Sequence, residues 1–262
     1  MTVPVPTAPS PLLAVQGVSR RFGGLQATDN VSFALAPGER VALIGPNGAG
    51  KTTLVNLLSG DLAPSAGRIL VDGHDVTRAS VADRVARGLV RTFQITRLFR
   101  SMTAAENLGI AIQQRRGLSR RITSHAGAAR EVRGEAEHLL AELGLAAVAD
   151  TPVARLAYGQ QRLIDLAIGL ALRPKVLLLD EPAAGVPHDE SHRILDALDR
   201  LPSDMAVLMI EHDMDLVFRF AARILVLAAG RLIVEGKAEE VRRNAEVRRA
   251  YLGSYADDRR SA

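Results

Sequence analysis

The chain is 262 residues long, with 47% hydrophobic and 24% charged residues, which suits one large domain or two small ones. It contains no cysteine, which excludes a disulfide framework, a thiolate zinc site and a cysteine nucleophile, and no apolar run approaches the roughly 20 residues that cross a bilayer. The net charge is +4, yet the arginines are scattered and only 3% of residues are aromatic. We therefore expect a solvated basic face and no nucleic-acid binding, with phosphate ligands and anionic lipid as the functional alternatives.

The first part of the chain has short strand-like runs. Residues 1–11 lack a basic start and an apolar stretch of signal length, so they are expected to be a disordered tail and not an export signal. The runs that follow are separated by GG, PG and DG turn signals and predict a partly antiparallel sheet. These runs are 12–15, 31–35, 41–44 and 68–71.

A helical segment is predicted next. Thr103 and Glu106 have the capping-box spacing that starts a helix. A second helix is expected from about 128 to 143, and Gly144 can end it. Residues 103–150 are therefore expected to be a helical insertion. The apolar face of the second helix comprises Val132, Ala136, Leu139, Leu140 and Leu143.

The last part of the chain alternates buried strands with helices, which implies a mainly parallel sheet. A flexible tail is expected over 254–262. The predicted elements are a helix after Gly159, a strand at 176–179, a helix near 191–201, strands at 206–210 and 224–227, and a hairpin partner at 231–234.

The strongest motif is GPNGAGKTT at 45–53, which satisfies G-x-x-x-x-G-K-[ST] and directly follows the apolar run VALI. Its glycines let backbone N–H groups converge on phosphate oxygens, and a helix starting near Lys51 adds its positive end. Lys51 would reach the β- and γ-phosphates of a nucleotide, and the Thr52 hydroxyl would hold Mg²⁺. The alternative is a glycine-rich turn with a surface lysine.

Two adjacent carboxylates follow the apolar run VLLL. Asp180 would orient the magnesium ion, since it stands at the carboxyl end of a buried strand, where open α/β sheets bind ligands. Glu181 is not needed for metal binding and is assigned as the group that polarises the attacking water. The alternative for the pair is a solvated strand end.

Three further polar sites stand where a γ-phosphate sensor could lie. Gln94 ends LVRTFQ, LAYGQQ at 156–161 opens a helix, and His212 follows the run MAVLMI. Each is a weak signal alone, because a histidine after a strand is more often structural and a loop glutamine is usually solvated. Their order along the chain carries the information.

That order resembles the nucleotide-binding subunit of an ABC transporter, over about residues 15–253. RFGGLQA, RTFQITRLFRSMTAAENL, LAYGQQR, DEPAAG, IEHDM and RAYLG are similar to the ATP-binding subunits of branched-chain amino acid importers, the LivG type. The resemblance implies an α/β fold of the P-loop NTPase class, with a mainly parallel core sheet, an antiparallel β subdomain and an inserted helical subdomain.

The resemblance also implies roles for individual residues. ATP and Mg²⁺ would be bound, with Glu181, His212, Lys51 and Gln94 in catalysis and Thr52, Gln94 and Asp180 around the metal. The loop would bind the phosphates, and an aromatic ring would stack on the adenine. The segment LAYGQQ at 156–161, called the signature in this family, would contact the nucleotide of a facing subunit. These binding residues are Phe22, Asn47, Gly48, Ala49, Gly50, Lys51, Thr52, Thr53, Ala157, Tyr158, Gly159 and Gln160.

The implied partners are a second ATP-binding subunit, identical to this chain or, as in the resembled importers, different from it, two membrane-spanning permease subunits and, indirectly, a solute-binding protein. The implied location is peripheral, on the cytoplasmic face of the inner or plasma membrane. Two residues depart from the family pattern. Ala157 lacks the hydroxyl of the serine in LSGGQ, and Pro187 stands where an Asp or Asn usually faces the opposite site.

Three other functions compete with import of branched-chain amino acids. An importer could carry another small polar solute, such as urea, an amide or an aromatic acid. A non-transport ABC ATPase would need a long coiled coil or a second tandem ATPase, and the sequence has one phosphate loop and no sustained heptads. A metabolic kinase is disfavoured because no lid or acceptor site is evident.

Overall fold

Two β-sheets organise the computed structural model, which describes residues 10–92, 98–118, 126–186 and 188–247. In these ranges one sheet has four strands and the other has six. The strands are β1 (Leu13–Phe22), β2 (Leu25–Leu35), β3 (Arg40–Ile44), β4 (Ala66–Val71), β5 (His74–Asp75), β6 (Leu89–Thr92), β7 (Val176–Asp180), β8 (Ala206–Ile210), β9 (Arg223–Ala228) and β10 (Arg231–Gly236).

Helices connect most of the parallel strands, as βαβ units require. Two short 3₁₀ turns, Ala146–Val148 and Val153–Arg155, lead into the fifth helix. The α-helices are α1 (Lys51–Ser59), α2 (Val81–Ala86), α3 (Ala104–Arg115), α4 (Ala126–Glu142), α5 (Tyr158–Ala171), α6 (His188–Asp199), α7 (Met214–Phe220), α8 (Ala238–Arg243) and α9 (Ala245–Val247).

The six-stranded sheet has the order β10-β9-β3-β8-β7-β6, and all its neighbours are parallel except β10 with β9. The carboxyl ends of β3, β7 and β8 therefore lie at one edge, which confirms the predicted mainly parallel sheet. The four-stranded sheet, β2-β1-β4-β5, is antiparallel. Assigning the run 41–44 to this antiparallel sheet was wrong. All four of its residues are fully buried, as a strand covered on both faces requires.

The core lies on both faces of the parallel sheet. In β3, Val41 and Leu43 face the cluster that β1, β2, β4 and α1 close, while Ala42 and Ile44 face the cluster formed with the remaining helices. This alternation follows from the two-residue period of a strand. The phosphate-loop helix α1 is thus held between the two sheets.

The predicted helices at 103–150 are confirmed. Thr103 Oγ1 accepts from the Glu106 N–H at 3.2 Å, and the Glu106 carboxylate accepts from the Thr103 N–H at 2.8 Å, which caps α3. Val132, Ala136 and Leu140 bury the inner face of α4. The backbone turns left-handed at Gly144, with φ +74°, after the helix ends.

The sequence patterns did not predict β5, α2, β6, α7 and the short C-terminal helices. Two of these have clear capping signals. Ser80 and Asp83 form a capping box before α2, and the Asp213 side chain accepts from two N–H groups of α7. The expected tails fall largely outside the described residues, since 1–9 and 254–262 are not described. In the described part of the chain, no helix is both long enough and apolar enough to cross a membrane.

Candidate functional site

At two glycines, the loop between β3 and α1 leaves no room for a Cβ atom. Gly45 has φ +154° and Gly50 has φ +101°. A Cβ atom would lie 2.1 Å from the Leu227 carbonyl oxygen at the first position and 2.3 Å from the Ala27 carbonyl oxygen at the second. No real side chain fits at such distances, so glycine allows the loop to pack directly against neighbouring backbone.

The loop is tied to the β9–β10 turn and leads straight into a helix. The Gly230 N–H donates to the Ala49 carbonyl at 2.9 Å, and the Ala49 N–H donates to the Pro46 carbonyl at 3.2 Å. Because α1 begins at Lys51, the positive end of its dipole lies at this loop. A helix N-terminus with a glycine loop in front of it favours phosphate.

Lys51 folds over its own loop. Its ammonium donates to the Gly45 carbonyl at 2.5 Å and to the Pro46 carbonyl at 3.0 Å. Burial lowers the pKa of Lys51, while the nearby Glu181 carboxylate opposes that shift. A half-buried ammonium is only partly hydrated, so a phosphate group would gain more from it than from a solvated lysine.

One cleft of about 490 Å³ brings the loop together with residues from distant parts of the chain. Its volume is in the range of small-ligand sites. Phe22 and Leu25, which are 42% and 67% exposed, contribute an apolar wall, and the Arg20 guanidinium lies 4.7 Å from the centre of the Phe22 ring. The cleft is lined by Phe22, Leu25, Gln26, Ala27, Asn47, Gly48, Ala49, Gly50, Lys51, Thr52, Thr53, Glu181, Ala229 and Gly230.

A larger groove of about 600 Å³ lies elsewhere, between α4, α6 and the loop before β7. None of the predicted site residues lines it. We place the candidate site in the smaller cleft, because that cleft has the glycine loop, the helix N-terminus and a lysine.

Asp180 ends β7 and is almost completely buried. Its carboxylate oxygen Oδ2 accepts from the Arg91 guanidinium at 2.6 Å. Sequence reasoning did not select Arg91, although a charged residue inside the apolar run LVRT is itself a signal of a buried partner. The predicted metal-binding carboxylate thus has a fixed cationic neighbour.

Glu181 turns away from the strand. Its φ is +49°, in the left-handed region that residues with side chains seldom adopt, and its N–H donates to the Ile210 carbonyl at 2.9 Å. This turn places the Glu181 side chain in the lining of the cleft, whereas Asp180 stays buried. Strained backbone of this kind is concentrated at functional sites.

His212 lies close to Glu181. Its ring nitrogen Nδ1 is 4.0 Å from Glu181 Oε1 and 3.6 Å from Glu211 Oε2. The Glu211 carboxylate is 1% exposed and accepts from the N–H groups of Ala183, His212 and Asp213 at 3.0–3.4 Å. Burial raises the pKa of Glu211. Glu211, which sequence reasoning also missed, connects the loop after Glu181 with the loop of His212.

The signature residues lie away from this cleft in their own chain. Ala157 precedes α5, and its N–H donates to the Gln160 side chain at 3.1 Å. The Tyr158 hydroxyl donates to the Ala184 carbonyl at 3.3 Å, and Arg162 donates to the same oxygen at 3.2 Å. Gly159 and Gln160 line a separate pocket with residues of α6. Two predicted residues, Gln94 and Pro187, lie outside the described residues.

The oxygen donors near the loop suit a magnesium ion. Mg²⁺ prefers oxygen ligands and is usually bound through one or two carboxylates together with substrate phosphates. Thr52 provides a hydroxyl at the start of α1 and Asp180 a carboxylate at the end of β7. These two residues fit a metal that shares its coordination with a nucleotide.

Comparison with known proteins agrees with this architecture. The family model described as ABC transporter matches residues 28–184, and the model described as branched-chain amino acid ATP-binding cassette transporter matches residues 231–257. The chain is similar to the high-affinity branched-chain amino acid transport ATP-binding proteins BraF of Pseudomonas aeruginosa, at 39% identity, and LivG of Escherichia coli, at 42% identity. Both alignments cover 93% of this chain and 98% of the relative.

The fold is also similar to solved structures. A crystal structure of the ADP conformation of an ATP-binding cassette of an ABC transporter superposes with a TM-score of 0.80 at 29% identity, covering 93% of this chain and 99% of that one. A nucleotide-free cassette gives a TM-score of 0.79 at 28% identity, covering 92% and 99%. With this fold, this cleft and relatives that match over nearly their whole length, the chain belongs to the ABC transporter family of ATP-binding proteins, in its LivG/BraF branched-chain amino acid group.

Proposed function

We propose that this chain binds ATP with Mg²⁺ and hydrolyses it, as the energy-coupling subunit of an importer for branched-chain or related amino acids. The observation that carries the proposal is the cleft that combines the glycine loop, Lys51 and Phe22 with Glu181. Family membership supports it, since the similar proteins BraF and LivG are named as branched-chain amino acid transport ATP-binding proteins.

The chain's own residues divide the work between binding and hydrolysis. The backbone of Asn47–Thr53 and the N-terminus of α1 would hold the phosphates, and the Lys51 ammonium would leave its own loop carbonyls for the β- and γ-phosphates. Phe22 would offer its exposed ring to the adenine. Because a ring contact does not read base edges, we expect little discrimination among purine nucleotides at this residue.

The Glu181 carboxylate lines the same cleft as the glycine loop, and hydrolysis is assigned to it together with His212 and Gln94. The Glu181 carboxylate would accept a hydrogen bond from the attacking water and orient it. His212, 4.0 Å from Glu181, would contact the γ-phosphate, and Gln94 would complete the water and metal shell. Mg²⁺ bound by Thr52, Asp180 and Gln94 would neutralise charge that develops on the phosphates.

The assembly we propose has two such subunits and two membrane-spanning permeases, with this chain peripheral on the cytoplasmic face of the membrane. The signature at Ala157–Gln160 lies away from the cleft of its own chain, which supports its use by the nucleotide of a facing subunit. A solute-binding protein would set the selectivity for the solute. Urea, amides and aromatic acids are therefore the second candidate substrates.

The proposal is tested with the complex reconstituted in membranes with its permease and binding proteins. Lys51→Ala should abolish ATP binding measured by calorimetry, and Glu181→Gln should keep binding while slowing hydrolysis at least about 100-fold, the usual contribution of a general base. Transport of leucine, compared with urea and an aromatic acid, identifies the solute. Wild-type hydrolysis by the Glu181→Gln complex would refute the assignment of the water-positioning residue.

A further inference from the structure

Arg91 joins two elements of the candidate nucleotide site. It lies on β6, and only 12% of its side chain is exposed. One guanidinium nitrogen donates to Asp180 Oδ2 at 2.6 Å. The other terminal nitrogen of the guanidinium donates to Asn56 Oδ1 at 2.7 Å and to Asp61 Oδ2 at 3.1 Å. Arg91 therefore connects the end of β7 with α1, the helix that begins at the phosphate loop.

Arg91 thus links two segments assigned to the nucleotide, those of Thr52 and Asp180, through one side chain. A planar guanidinium with several fixed donors suits such a junction better than a lysine ammonium.

Burial makes the orientation of Asp180 depend on this contact. The carboxylate is 7% exposed, so few water molecules can stabilise or orient it, and an uncompensated buried charge is costly. Arg91 takes up one carboxylate oxygen and leaves the other for a further ligand. Outer partners of this kind fix the geometry of metal-binding carboxylates.

We propose that Arg91 is a positioning residue that orients the Asp180 carboxylate for magnesium and couples it to the phosphate-loop helix. This inference rests on the proposed function, in which Asp180 binds the metal of Mg·ATP. Arg91 itself does not contact nucleotide in this proposal. We expect Arg91 to affect how strongly nucleotide binding depends on Mg²⁺. It should not affect the affinity for nucleotide in the absence of the metal.

Charge repulsion between Arg91 and Mg²⁺ would weaken metal binding, which is the opposite of the effect that we propose for Arg91. An experiment can therefore distinguish the two effects. If the positive charge of Arg91 mainly repelled Mg²⁺, neutralising it would tighten metal binding. Asp61 also accepts from the same guanidinium, so the arginine and its two carboxylates together do not carry net positive charge. We therefore expect loss of orientation to outweigh relief of repulsion.

The experiment uses the full-length chain and an ATP analogue with a non-hydrolysable β–γ bridge. Calorimetry measures analogue affinity in EDTA and over a series of Mg²⁺ concentrations. Arg91→Met should raise the Mg²⁺ concentration for half of the metal-dependent effect by about tenfold or more, with the affinity in EDTA unchanged. Arg91→Lys keeps the charge, but its single ammonium cannot contact Asp180 and α1 together. It should therefore also raise the Mg²⁺ concentration for half of the effect, which is the Mg²⁺ midpoint. It provides a second variant if Arg91→Met does not fold.

The matched control is Arg223→Met. Arg223 is another poorly exposed arginine held by carboxylates, with Glu39 at 2.6 Å, but it begins β9 and pairs with Val41 near the amino end of β3, at the opposite end of these strands from the loop. We expect this variant to lose stability with no change in the Mg²⁺ midpoint. An equal shift in the control would mean that general loosening explains the effect, and it would overturn the proposal.

Asp180→Asn distinguishes the assignment of Asp180 as a metal ligand from the role of Arg91. If this variant shows the wild-type Mg²⁺ dependence, Asp180 is not a metal ligand, and both the metal assignment and the role of Arg91 fall. If Asp180→Asn loses the Mg²⁺ effect while both Arg91 variants keep the wild-type midpoint, or if Arg91→Met binds Mg²⁺ more tightly, only the role of Arg91 is refuted.

Discussion

Two glycines of the phosphate-binding loop have left-handed backbones but different surroundings. Gly48, with φ +77°, has nothing within 4 Å of an added Cβ, whereas at Gly50 that atom would lie 2.3 Å from the Ala27 carbonyl oxygen. The first site therefore needs glycine for its dihedral angles alone. The second needs it also because the backbone of β2 approaches closely.

We expect Gly48→Ala to lower the free energy of unfolding by about 1 kcal/mol, the cost of a left-handed alanine. Gly50→Ala should cost clearly more, because the β2 backbone must also move. Urea denaturation of the two variants measures the difference. Equal losses would contradict the role assigned to the close approach at Gly50.

The buried Glu211 carboxyl should make stability depend on pH. Burial raises its pKa above the ordinary value of 4.5, so the folded state binds this proton more tightly than the unfolded state. The contribution of the Glu211 carboxyl to folding stability is complete when the pH is below its pKa in the unfolded state. This contribution is lost as the pH rises through its pKa in the folded state. We expect the stability of the wild type relative to Glu211→Gln to fall as the pH rises through that window, measured by urea unfolding.

Glu135 offers a control of opposite sign. Burial would raise its pKa, but hydrogen bonds from Arg115 and Arg116 outweigh it, so its pKa is lowered. The stability of the wild type relative to Glu135→Gln should therefore decrease as the pH falls. Parallel pH curves for wild type and Glu211→Gln would contradict the raised pKa.

At the scale of elements, α1 is supported at both ends. Its start forms the phosphate site, and its end is held by Arg84, which is 1% exposed. The Arg84 guanidinium donates to the carbonyls of Leu57 and Leu58 at 2.6 Å, and to those of Thr77 and Ala79. A cation at this end also complements the helix dipole.

Arg84→Met should destabilise the protein by at least about 2 kcal/mol, because several buried carbonyls would lose their donor. Arg87→Met, at the end of the same short helix but exposed, is the control and should change stability little. Thermal or urea unfolding measures both. If the two substitutions had equal effects, the buried contacts of Arg84 would not be the cause.

At the scale of the whole molecule, the signature and the nucleotide cleft of one chain are separate. Ala157 is exposed and precedes α5 at its N-cap, where an aspartate is compatible with the helix dipole, but its charge would repel the phosphates of a facing nucleotide. Ala157→Asp should leave ATP affinity of the isolated chain unchanged and lower ATP turnover of the assembled complex. Calorimetry and a steady-state ATPase assay measure the two effects.

Gly127→Asp, in the first turn of α4, is the control for placing an aspartate at a helix start. It should leave both affinity and turnover unchanged. A loss of nucleotide affinity in the isolated Ala157→Asp chain, or normal turnover of its complex, would contradict a signature that acts on the opposite site.

Motifs whose chemistry is local can be predicted from the amino-acid sequence. The phosphate loop, the buried strands with their terminal carboxylates, and the capped helices α3 and α4 follow from patterns over a few residues, since dihedral preferences, caps and strand periodicity act at short range. Thr103 with Glu106, and Gly48 with its left-handed backbone, are examples of such local determination.

Contacts between distant residues depend on the tertiary structure. Arg91 reaches Asp180 across 89 positions of the chain, and Glu211 accepts from Ala183 across 28. The parallel sheet brings the ends of β3, β7 and β8 to one edge, and no local pattern specifies which buried cation pairs with which carboxylate. The assignment of run 41–44 to the wrong sheet has the same origin, because strand pairing depends on contacts far apart in sequence.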